Sequence, residues 1–563
     1  MRLAIFGVLL YAGWALAVAS EQGADTALPL IEPGKLDDLR WPDFSNCQTY
    51  VRNFYASRSY ALAWTRGGAA TPQAQALVRL FQNAAERGLD PENYDGSRWR
   101  VRLDSLPSPA LHNSAEARAR FDLALTVSAL RYISDLHIGR VNPKVLCFGL
   151  DVDQNRCDFA DVLSQRLVNA PDVAQAIEQI EPPYPGYRYA KQALQRYIQL
   201  AREDDGELLP ATKKPVEPGS SYAGIARLQR LLHRLGDLPA DASVPMDAQV
   251  YQAPLVDAVK RFQVRHGLEA DGRLGPSTLR ELNTPLSRRV RQLQLVLERW
   301  RWIPAQFTKP PIIVNIPEFR LYALNEQNEP ALEMKVVVGG AYHRQTPVFA
   351  EQMTHVIFRP YWNVPLSIQR NELLPKIRED ATYLAANDYE VVNARGERVA
   401  SATPTPDLLA GLRSGKLQIR QVPGPKNALG FVKFLFPNPY NVYMHGTPAQ
   451  KLFAKSRRDF SHGCIRVEKP EELALWVLRD KPGWDLARIQ EAEDGPRPLQ
   501  VNLDHPIPVL ILYGTAVARA NGEVYFYDDI YRHDARLDEL LANGYPYSGW
   551  TPTSDGRGPR PRE

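Results

Sequence analysis

The sequence predicts a multidomain α+β protein, and three observations support this. Between residues 38 and 203, apolar side chains recur at helical spacing. A segment rich in proline and lysine, 206–220, then interrupts the pattern. From residue 311 onwards, runs of β-branched and aromatic residues are typical of strands. The chain has 563 residues, of which 44% are hydrophobic, and this length favours roughly three or four domains with their own cores.

The N-terminus predicts export. A basic residue, Arg2, precedes an apolar run that ends at Ala19, and the residues that follow are polar. This pattern is typical of a secretory signal peptide, 1–19, cleaved after Ala19. An uncleaved membrane anchor is the alternative, because the run is only slightly shorter than a bilayer span. We expect the mature protein in the periplasm, with no membrane contact beyond this segment.

Charge and cysteine content limit the classes of partner and the chemistry. The formal net charge of +4 is small for this length, so it gives no reason to expect nucleic acid as a partner and only weak support for an anionic polymer.

The cysteines are Cys47, Cys147, Cys157 and Cys464. In an oxidising compartment, Cys147 and Cys157 are candidates for a disulfide, and Cys47 is an alternative partner for either. The sequence leaves this connectivity open.

Residues 20–205 are predicted to form a helical scaffold. Thr71 precedes a proline and is expected to cap a helix that Gly88 ends. A longer helix is predicted from Ser114 to Ile138. The sequence of this region contains no pattern typical of catalysis, which favours a structural role.

A compact unit of three helices is predicted at 221–285, after the linker 206–220. Its second helix carries Ala-Val-Lys-Arg-Phe-Gln at 258–263, and a turn at 271–272 precedes the opening of a third helix at 275–279. The run and the turns resemble the three-helix peptidoglycan-binding module of cell-wall enzymes. The resemblance implies contact with glycan strands. The alternative is a small bundle that serves as an arm between domains.

A scaffold helix is predicted within 286–310, and a strand-rich region, 311–535, follows it. In this region, 431–436 alternates large apolar residues, as a strand that faces a core does. A helix-rich insertion at about 366–425 interrupts the strands, and we interpret it as a lid rather than a surface decoration. The last residues, 536–563, are predicted to form a short helix and a disordered tail. The other strands are predicted at 312–316, 319–324, 334–338, 355–358, 441–444, 509–513 and 524–527.

The most informative motif is Ser-His-Gly-Cys-Ile-Arg at 461–466, with His445-Gly446-Thr447 upstream. A cysteine attacks acyl groups as the thiolate, so it needs a nearby base or cation that lowers its pKa. The glycine before the cysteine allows a tight turn and leaves room for a bulky substrate. The motif therefore predicts an acyl-transferring thiol at Cys464.

The spacing from His445 to Cys464 and the residues around both resemble the L,D-transpeptidase catalytic domain of the YkuD type. With the scaffold and the inserted module, the chain looks like the large periplasmic branch of that family. The resemblance implies a mostly β catalytic domain with a helical lid, beside a helical scaffold and a small peptidoglycan-binding-like domain. The accessory segments that agree with the family are 338–340, 346–348, 361–365 and 431–436.

The resemblance also implies a role for each site residue. Cys464 would be the nucleophile, and His445 the general acid/base, oriented by the backbone carbonyl of Gly446. Cys464 would attack the carbonyl of the third stem residue of a tetrapeptide, release D-alanine and transfer the acyl group to an amine, which forms a 3→3 cross-link. The backbone N–H groups of His462, Gly463 and Cys464 would stabilise the oxyanion. An exposed thiolate would also be acylated by carbapenems. Further residues are predicted to bind substrate or fix the turn: Arg466, Ser461, Tyr443, Trp362 and Arg457.

Several alternatives stay open. Water as the acceptor would give an L,D-carboxypeptidase, and a protein acceptor would give attachment of proteins to peptidoglycan. A wall-binding structural protein is the alternative of another class, and the intact pair of His445 and Cys464 argues against it. Zinc at these two residues and His462 is disfavoured, because no fourth ligand is apparent. We expect no metal or cofactor. The expected partners are peptidoglycan stem peptides, and the further candidates are glycan strands through 221–285 and peptidoglycan synthases.

Overall fold

The computed structural model describes residues 24–109, 114–155, 157–242, 245, 249–341, 344–399 and 404–544. The predicted signal peptide, 1–19, lies outside these residues, and so does the end of 536–563, the segment predicted as a short helix and a disordered tail. Within these ranges, no helix is both long and apolar enough to cross a membrane. The described residues pack into four hydrophobic cores. The multidomain α+β class predicted from the sequence is confirmed.

A helical domain forms the N-terminal part of the described chain. Ser114 Oγ accepts the Ala117 N–H at 3.1 Å and caps the long central helix, which is buried on nearly all sides, as the middle helix of a bundle is. The helix capped by Thr71 ends at Gln82 rather than near Gly88, because a 3₁₀ turn, Ala84–Arg87, follows it. The elements are α1 (24–31), α2 (Gln48–Ala56), β1 (Thr65–Arg66), β2 (Ala69–Ala70), α3 (Pro72–Gln82), α4 (Trp99–Ser105), α5 (Ala115–Ile138), α6 (Phe159–Val162) and α7 (Val173–Glu178).

A second core joins two long helices to the three-helix unit. Helix α8 (Pro185–Arg202) packs along α12 (Leu286–Trp300). In the three-helix unit, the buried Arg265 pairs with Asp237 and donates from Nη1 to the carbonyl oxygen of Val524 at 2.6 Å. Buried contacts therefore fix this unit to the end of the strand-rich region. Its helices are α9 (Ile225–Leu235), α10 (Leu255–Arg265) and α11 (Pro276–Leu282).

The strand-rich region folds as a closed sheet around the third core. The strand order is β12-β5-β13-β11-β10-β6-β14-β3-β4, and β4 also pairs with β5, which closes the ring. The strands of this sheet are β3 (Ile312–Asn315), β4 (Arg320–Leu324), β5 (Pro330–Gly339), β6 (Phe349–Phe358), β10 (Val432–Leu435), β11 (Met444–His445), β12 (Asp459–Ser461), β13 (Ile465–Val467) and β14 (Leu499–Leu512). The remaining elements are α17 (Pro470–Val477), α18 (Leu486–Asp494), the hairpin β15 (Ala516–Ala518) and β16 (Val524–Phe526), and α19 (His533–Ala542).

The insertion at about 366–425 is not purely helical, which corrects the expectation. It contains a three-stranded sheet in the order β7-β9-β8 and has its own small core. Its strands were missed because each is short and pairs only with distant parts of the insertion. The elements are β7 (Trp362–Asn363), α13 (Leu366–Ile368), a π-helical turn (Gln369–Leu373), α14 (Leu374–Glu379), α15 (Tyr383–Ala386), β8 (Tyr389–Val392), α16 (Pro406–Ser414) and β9 (Gln418–Gln421).

The strand predicted at 441–444 is shorter than expected, because β11 begins only at Met444. Asn441 has a φ of +55°, which a strand does not allow. The Asn438 side chain holds this turn: Nδ2 donates to the Val442 carbonyl oxygen at 2.7 Å, and Oδ1 accepts the Val442 N–H at 3.1 Å. The turn therefore keeps 441–443 outside strand β11.

Candidate active site

The alternation of side chains along three neighbouring strands places the polar residues on one face of the sheet. His445 lies opposite Lys433 of the antiparallel strand β10 and opposite Arg466 of the parallel strand β13. Phe434, which follows Lys433, and Ile465, which precedes Arg466, are fully buried in the core. Because neighbours along a strand point to opposite faces, Lys433, His445 and Arg466 share the face away from that core.

The nucleophile predicted from the sequence lies on this face, one residue before β13. The Ile465 N–H donates to the carbonyl oxygen of Tyr443 at 3.0 Å, which places Cys464 beside Tyr443. The Cys464 thiol donates to the carbonyl oxygen of Asn441, with Sγ 3.8 Å from it. The Tyr443 hydroxyl also hydrogen-bonds the sulfur. Tyr443 itself packs beside His445, with 5.7 Å between the ring centroids.

The thiol of Cys464 is protonated at rest, which differs from the thiolate expected from the motif. Burial raises the pKa of this thiol above its ordinary value. Hydrogen bonds from Tyr443 and the positive charges of Lys433 and Arg466 act in the opposite direction, but they do not outweigh burial. To act as a nucleophile, this thiol would need a base that removes its proton.

His445 has the properties of such a base. Nδ1 lies 2.5 Å from the carbonyl oxygen of Gly446. Because a carbonyl only accepts, Nδ1 carries the proton and Nε2 is left with its lone pair. Burial, with a smaller effect of the neighbouring Arg466 guanidinium, lowers the pKa of His445 to about 3, although hydrogen bonds to backbone carbonyls act in the opposite direction. The imidazole is therefore neutral at all ordinary pH values.

The turn before Cys464 is fixed by side-chain hydrogen bonds. Ser461 Oγ accepts the Gly463 N–H at 3.1 Å and donates to the Cys464 carbonyl oxygen at 2.5 Å. Thr346 Oγ1 donates to the Gly463 carbonyl oxygen at 2.8 Å. Since the Gly463 N–H is already bonded to Ser461, it does not point at an oxyanion. Of the predicted oxyanion donors, the N–H groups of His462 and Cys464 are left.

Two glycines allow the close approach that this arrangement needs. Gly339 donates from its N–H to Thr346 Oγ1 at 2.9 Å, and a Cβ at this position would lie 1.9 Å from the Arg344 carbonyl oxygen. Gly430 has a φ of +64°, and its Cβ would lie 2.8 Å from the carbonyl carbon of Gly446. A side chain at either glycine would displace the backbone that holds the Gly463 turn or His445.

The insertion contacts the site on two sides. Glu372, in the π-helical turn, lies with Oε1 2.5 Å from His462 Nε2 and 3.0 Å from Arg344 Nη2. Trp362, in β7, donates a hydrogen bond to the Tyr443 hydroxyl. His462 therefore faces the insertion, whereas His445 faces the sheet with Cys464.

The two predicted arginines differ in their surroundings. Arg466 Nε is buried and, among the described residues, has no hydrogen-bond partner. Arg457 is instead held by Asp459, with contacts of 2.7 and 2.8 Å, and lines a cavity of about 340 Å³ with residues 528–532. The structure thus brings Arg466 to the catalytic face with Tyr443 and Cys464, and it places Arg457 in a separate ion pair.

Sequence reasoning missed Lys433 and Glu372. Lys433 could have been found from the sequence, because large apolar side chains alternate at 431–436. Lys433 lies at one of the positions in this pattern that face away from the core. Its Nζ lies 3.9 Å from the centroid of the Tyr443 ring. Glu372 had no sequence signal, since its contact with His462 spans 90 residues of chain. In the ranges that the structure describes, no cluster of three or more His, Cys, Asp or Glu residues is arranged to hold a metal ion.

Comparison with known families identifies the three parts of the chain. Residues 49–194 match a family described as "Scaffold domain", and 221–282 match one described as "Putative peptidoglycan binding domain". Residues 310–501 match the YkuD L,D-transpeptidase catalytic domain. The resemblance found in the sequence is confirmed. Over residues 310–501, the strand-rich domain of this chain is similar to the L,D-transpeptidase catalytic domain of the YkuD type.

Individual relatives agree with this family over part of the chain. A protein of Haemophilus influenzae described as "Putative L,D-transpeptidase" is 31% identical over 227 residues. These residues are 40% of this chain and 45% of that protein, so the match spans about half the length of the curated relative. A crystal structure of an L,D-transpeptidase (residues 123–326) from Xylanimonas cellulosilytica covers 54% of this chain and 100% of its own, with 13% identity and a TM-score of 0.17. An overlap of this quality does not bear on the fold.

Proposed function

We propose that the protein is a cysteine-dependent L,D-transpeptidase that acts on peptidoglycan in the periplasm. The observation that carries this proposal is the neutral His445, which the Gly446 carbonyl orients on the same sheet face as the protonated thiol of Cys464. A base with a free Nε2 on the same sheet face as a thiol is the arrangement that we propose for acyl transfer through a thioester. The family match of residues 310–501 supports the same reaction class.

The first half-reaction forms the thioester. His445 Nε2 takes the proton of Cys464 while Sγ attacks the carbonyl of the third stem residue of a tetrapeptide. The resulting oxyanion is stabilised by the N–H groups of His462 and Cys464. The imidazolium then gives its proton to the departing nitrogen, the C–N bond breaks, and D-alanine leaves. Because His445 is a weak base, the imidazolium returns this proton readily.

The second half-reaction transfers the acyl group. The side-chain amine of a second stem attacks the thioester, and His445 takes a proton from that amine. The C–S bond breaks, the thiolate takes the proton back from the imidazolium, and a 3→3 cross-link is left. Water in place of the amine would give a tripeptide, and a protein amine would give attachment to the wall.

In this proposal, the three-helix unit serves as an arm attached to the catalytic domain. Its helices share a core with α8, α12 and the hairpin β15–β16, so the unit is fixed to the catalytic domain by buried side chains. The buried pair of Arg265 and Asp237 lies at this junction. Glycan strands on its outer surface and peptidoglycan synthases are further proposed partners.

We propose that the insertion acts as a lid. The contact of Glu372 with His462 and Arg344 holds it against the catalytic turn. Substitution Glu372→Gln is expected to raise KM by about twofold to fivefold, because partly exposed ion pairs contribute little free energy. Hydrogen exchange is expected to increase across 366–425. The matched control is Glu379→Gln, which changes an exposed glutamate of the same insertion. Equal exchange and KM in both variants would contradict the lid.

Carbapenems are expected to acylate Cys464. Their strained amide needs only the same proton transfer from Cys464 to His445, so a resting thiolate is not required. Intact-mass measurement should show one covalent adduct on the wild-type protein and none on Cys464→Ala. An unchanged wild-type mass after prolonged incubation would contradict this expectation.

Purified tetrapeptide muropeptides test the proposed function. Incubation with the wild-type protein is expected to release D-alanine and to form dimers, which fragmentation by mass spectrometry should assign as 3→3 linked. Release of D-alanine with tripeptide as the product would identify a carboxypeptidase instead. No release under any condition would favour a wall-binding structural protein.

A further inference from the structure

We propose that the ammonium group of Lys433 binds the terminal α-carboxylate of the donor peptide, which belongs to the residue that leaves. Lys433 would thereby select donors that end one residue after the attacked carbonyl. This inference rests on the proposed function and adds a specificity-determining residue to it.

The position of Lys433 supports the assignment. Its strand places it opposite His445, and its Nζ lies 3.9 Å from the centroid of Tyr443, whose hydroxyl bonds the Cys464 sulfur. The positive charge of Lys433 is felt by both reacting groups, because it lowers the pKa of Cys464 and that of His445. The ammonium therefore lies beside the space where the reacting peptide bond must sit.

Lys433 lacks an anionic partner within the described part of the protein. Burial lowers the pKa of Lys433. The one charge that would oppose this is the thiolate of Cys464, which is absent while the thiol is protonated, and no carboxylate acts on Lys433. The attraction to an aromatic ring offsets only part of the free-energy cost of half-burying an ammonium group. A ligand carboxylate would supply the missing charge.

The chemistry of the donor places a carboxylate in reach. The carbon of the terminal carboxylate is three bonds from the attacked carbonyl carbon, through the departing nitrogen and its α-carbon. Standard bond lengths keep these two carbons within about 4 Å of each other. The departing nitrogen must face His445 to receive a proton, so the carboxylate next to it faces the strands that flank His445.

The strand order separates the two cations of this face. In the order β13-β11-β10, Arg466 lies on one side of His445 and Lys433 on the other. Both cations lie directly across from His445. Only for Lys433 does the structure also show packing on Tyr443, which contacts the sulfur. A donor longer by one residue would present an amide to Lys433 and would leave the ammonium unpaired.

Two donors test the proposal on the full-length protein: a tetrapeptide with a free terminal carboxylate, and the same peptide as its terminal carboxamide. The wild-type protein should prefer the carboxylate by about 10- to 100-fold in kcat/KM, the usual effect of one charged hydrogen bond. In Lys433→Met, kcat/KM for the carboxylate donor should fall by about the same factor. For the carboxamide donor, kcat/KM should fall much less, because only the effect of the Lys433 charge on Cys464 and His445 is lost, so most of the preference disappears.

Charge-retaining and matched variants complete the test. Lys433→Arg should keep most of the preference, and Lys455→Met, which removes a lysine packed on Phe460, should leave it unchanged. Equal losses for both donors in Lys433→Met, or a wild-type protein that does not distinguish them, would overturn the proposal. If Lys433→Met fails to fold, the wild-type comparison and Lys433→Arg still decide the question. Wild-type protein that processes neither donor would instead reject the proposed function.

Discussion

Substitution Cys464→Ala is expected to abolish both D-alanine release and dimer formation. No thioester forms without the sulfur, and the loss should reach at least about 10⁴-fold in kcat/KM, as for other enzymes that lose their nucleophile. The measurement is the rate of D-alanine release from purified tetrapeptide muropeptides. The alanine is expected to fold normally, because the turn is held by Ser461 and Thr346 through backbone atoms of Gly463 and Cys464.

The matched control for this variant is Cys147→Ala, which removes an exposed cysteine that is remote in sequence from the motif. It should keep full activity. Full activity in Cys464→Ala, or equal losses in both variants, would show that the reaction does not pass through this thiol.

Substitution His445→Gln is expected to lower kcat by roughly 10²- to 10⁴-fold, the range that a general acid/base contributes. Glutamine can still donate to the Gly446 carbonyl, but it has no lone pair of suitable basicity at the position of Nε2. KM should change little, because His445 is buried within the sheet face rather than at its rim. Steady-state kinetics with the tetrapeptide donor measure both parameters.

The pH dependence of the two proteins separates this role from a structural one. The pKa of His445 is lowered to about 3, so the base form is present above that value and is lost only as the pH falls towards it. Wild-type kcat/KM should therefore stay level on the acid side to below about pH 5. The residual rate of His445→Gln should instead rise with pH, because the thiolate then forms only by direct ionisation of Cys464, whose pKa burial raises. A wild-type inflection near the ordinary histidine pKa would contradict the buried, neutral imidazole.

The local geometry around the proposed catalytic pair was predictable from the sequence because its contacts lie close together in the chain. Ser461, Gly463 and Cys464 lie within one turn. The Ser461 hydroxyl hydrogen-bonds the N–H of Gly463 and the carbonyl oxygen of Cys464. The role of the Gly446 carbonyl also depends on the adjacent residue alone. Such contacts follow from residue type and spacing, without knowledge of the strand order.

The properties that depend on distant contacts were not predictable. The protonated state of Cys464 results from its burial, which only the packed sheet and the insertion define. The place of Lys433 depends on the pairing of β10 with β11, and that of Glu372 depends on the docking of the insertion. The strand before His445 is shorter than predicted because the Asn438 side chain stabilises a turn there, in which Asn441 has a positive φ. The spacing of apolar residues does not predict such a backbone conformation.

Intact-mass measurement of the protein during turnover tests the central claim most directly. Wild-type protein mixed with tetrapeptide donor and quenched in acid should gain the mass of the donor minus D-alanine. Peptide mapping should place this mass on Cys464, and an amine acceptor added before quenching should remove it. D-alanine release without any adduct on Cys464, or the same adduct on Cys464→Ala, would contradict the account.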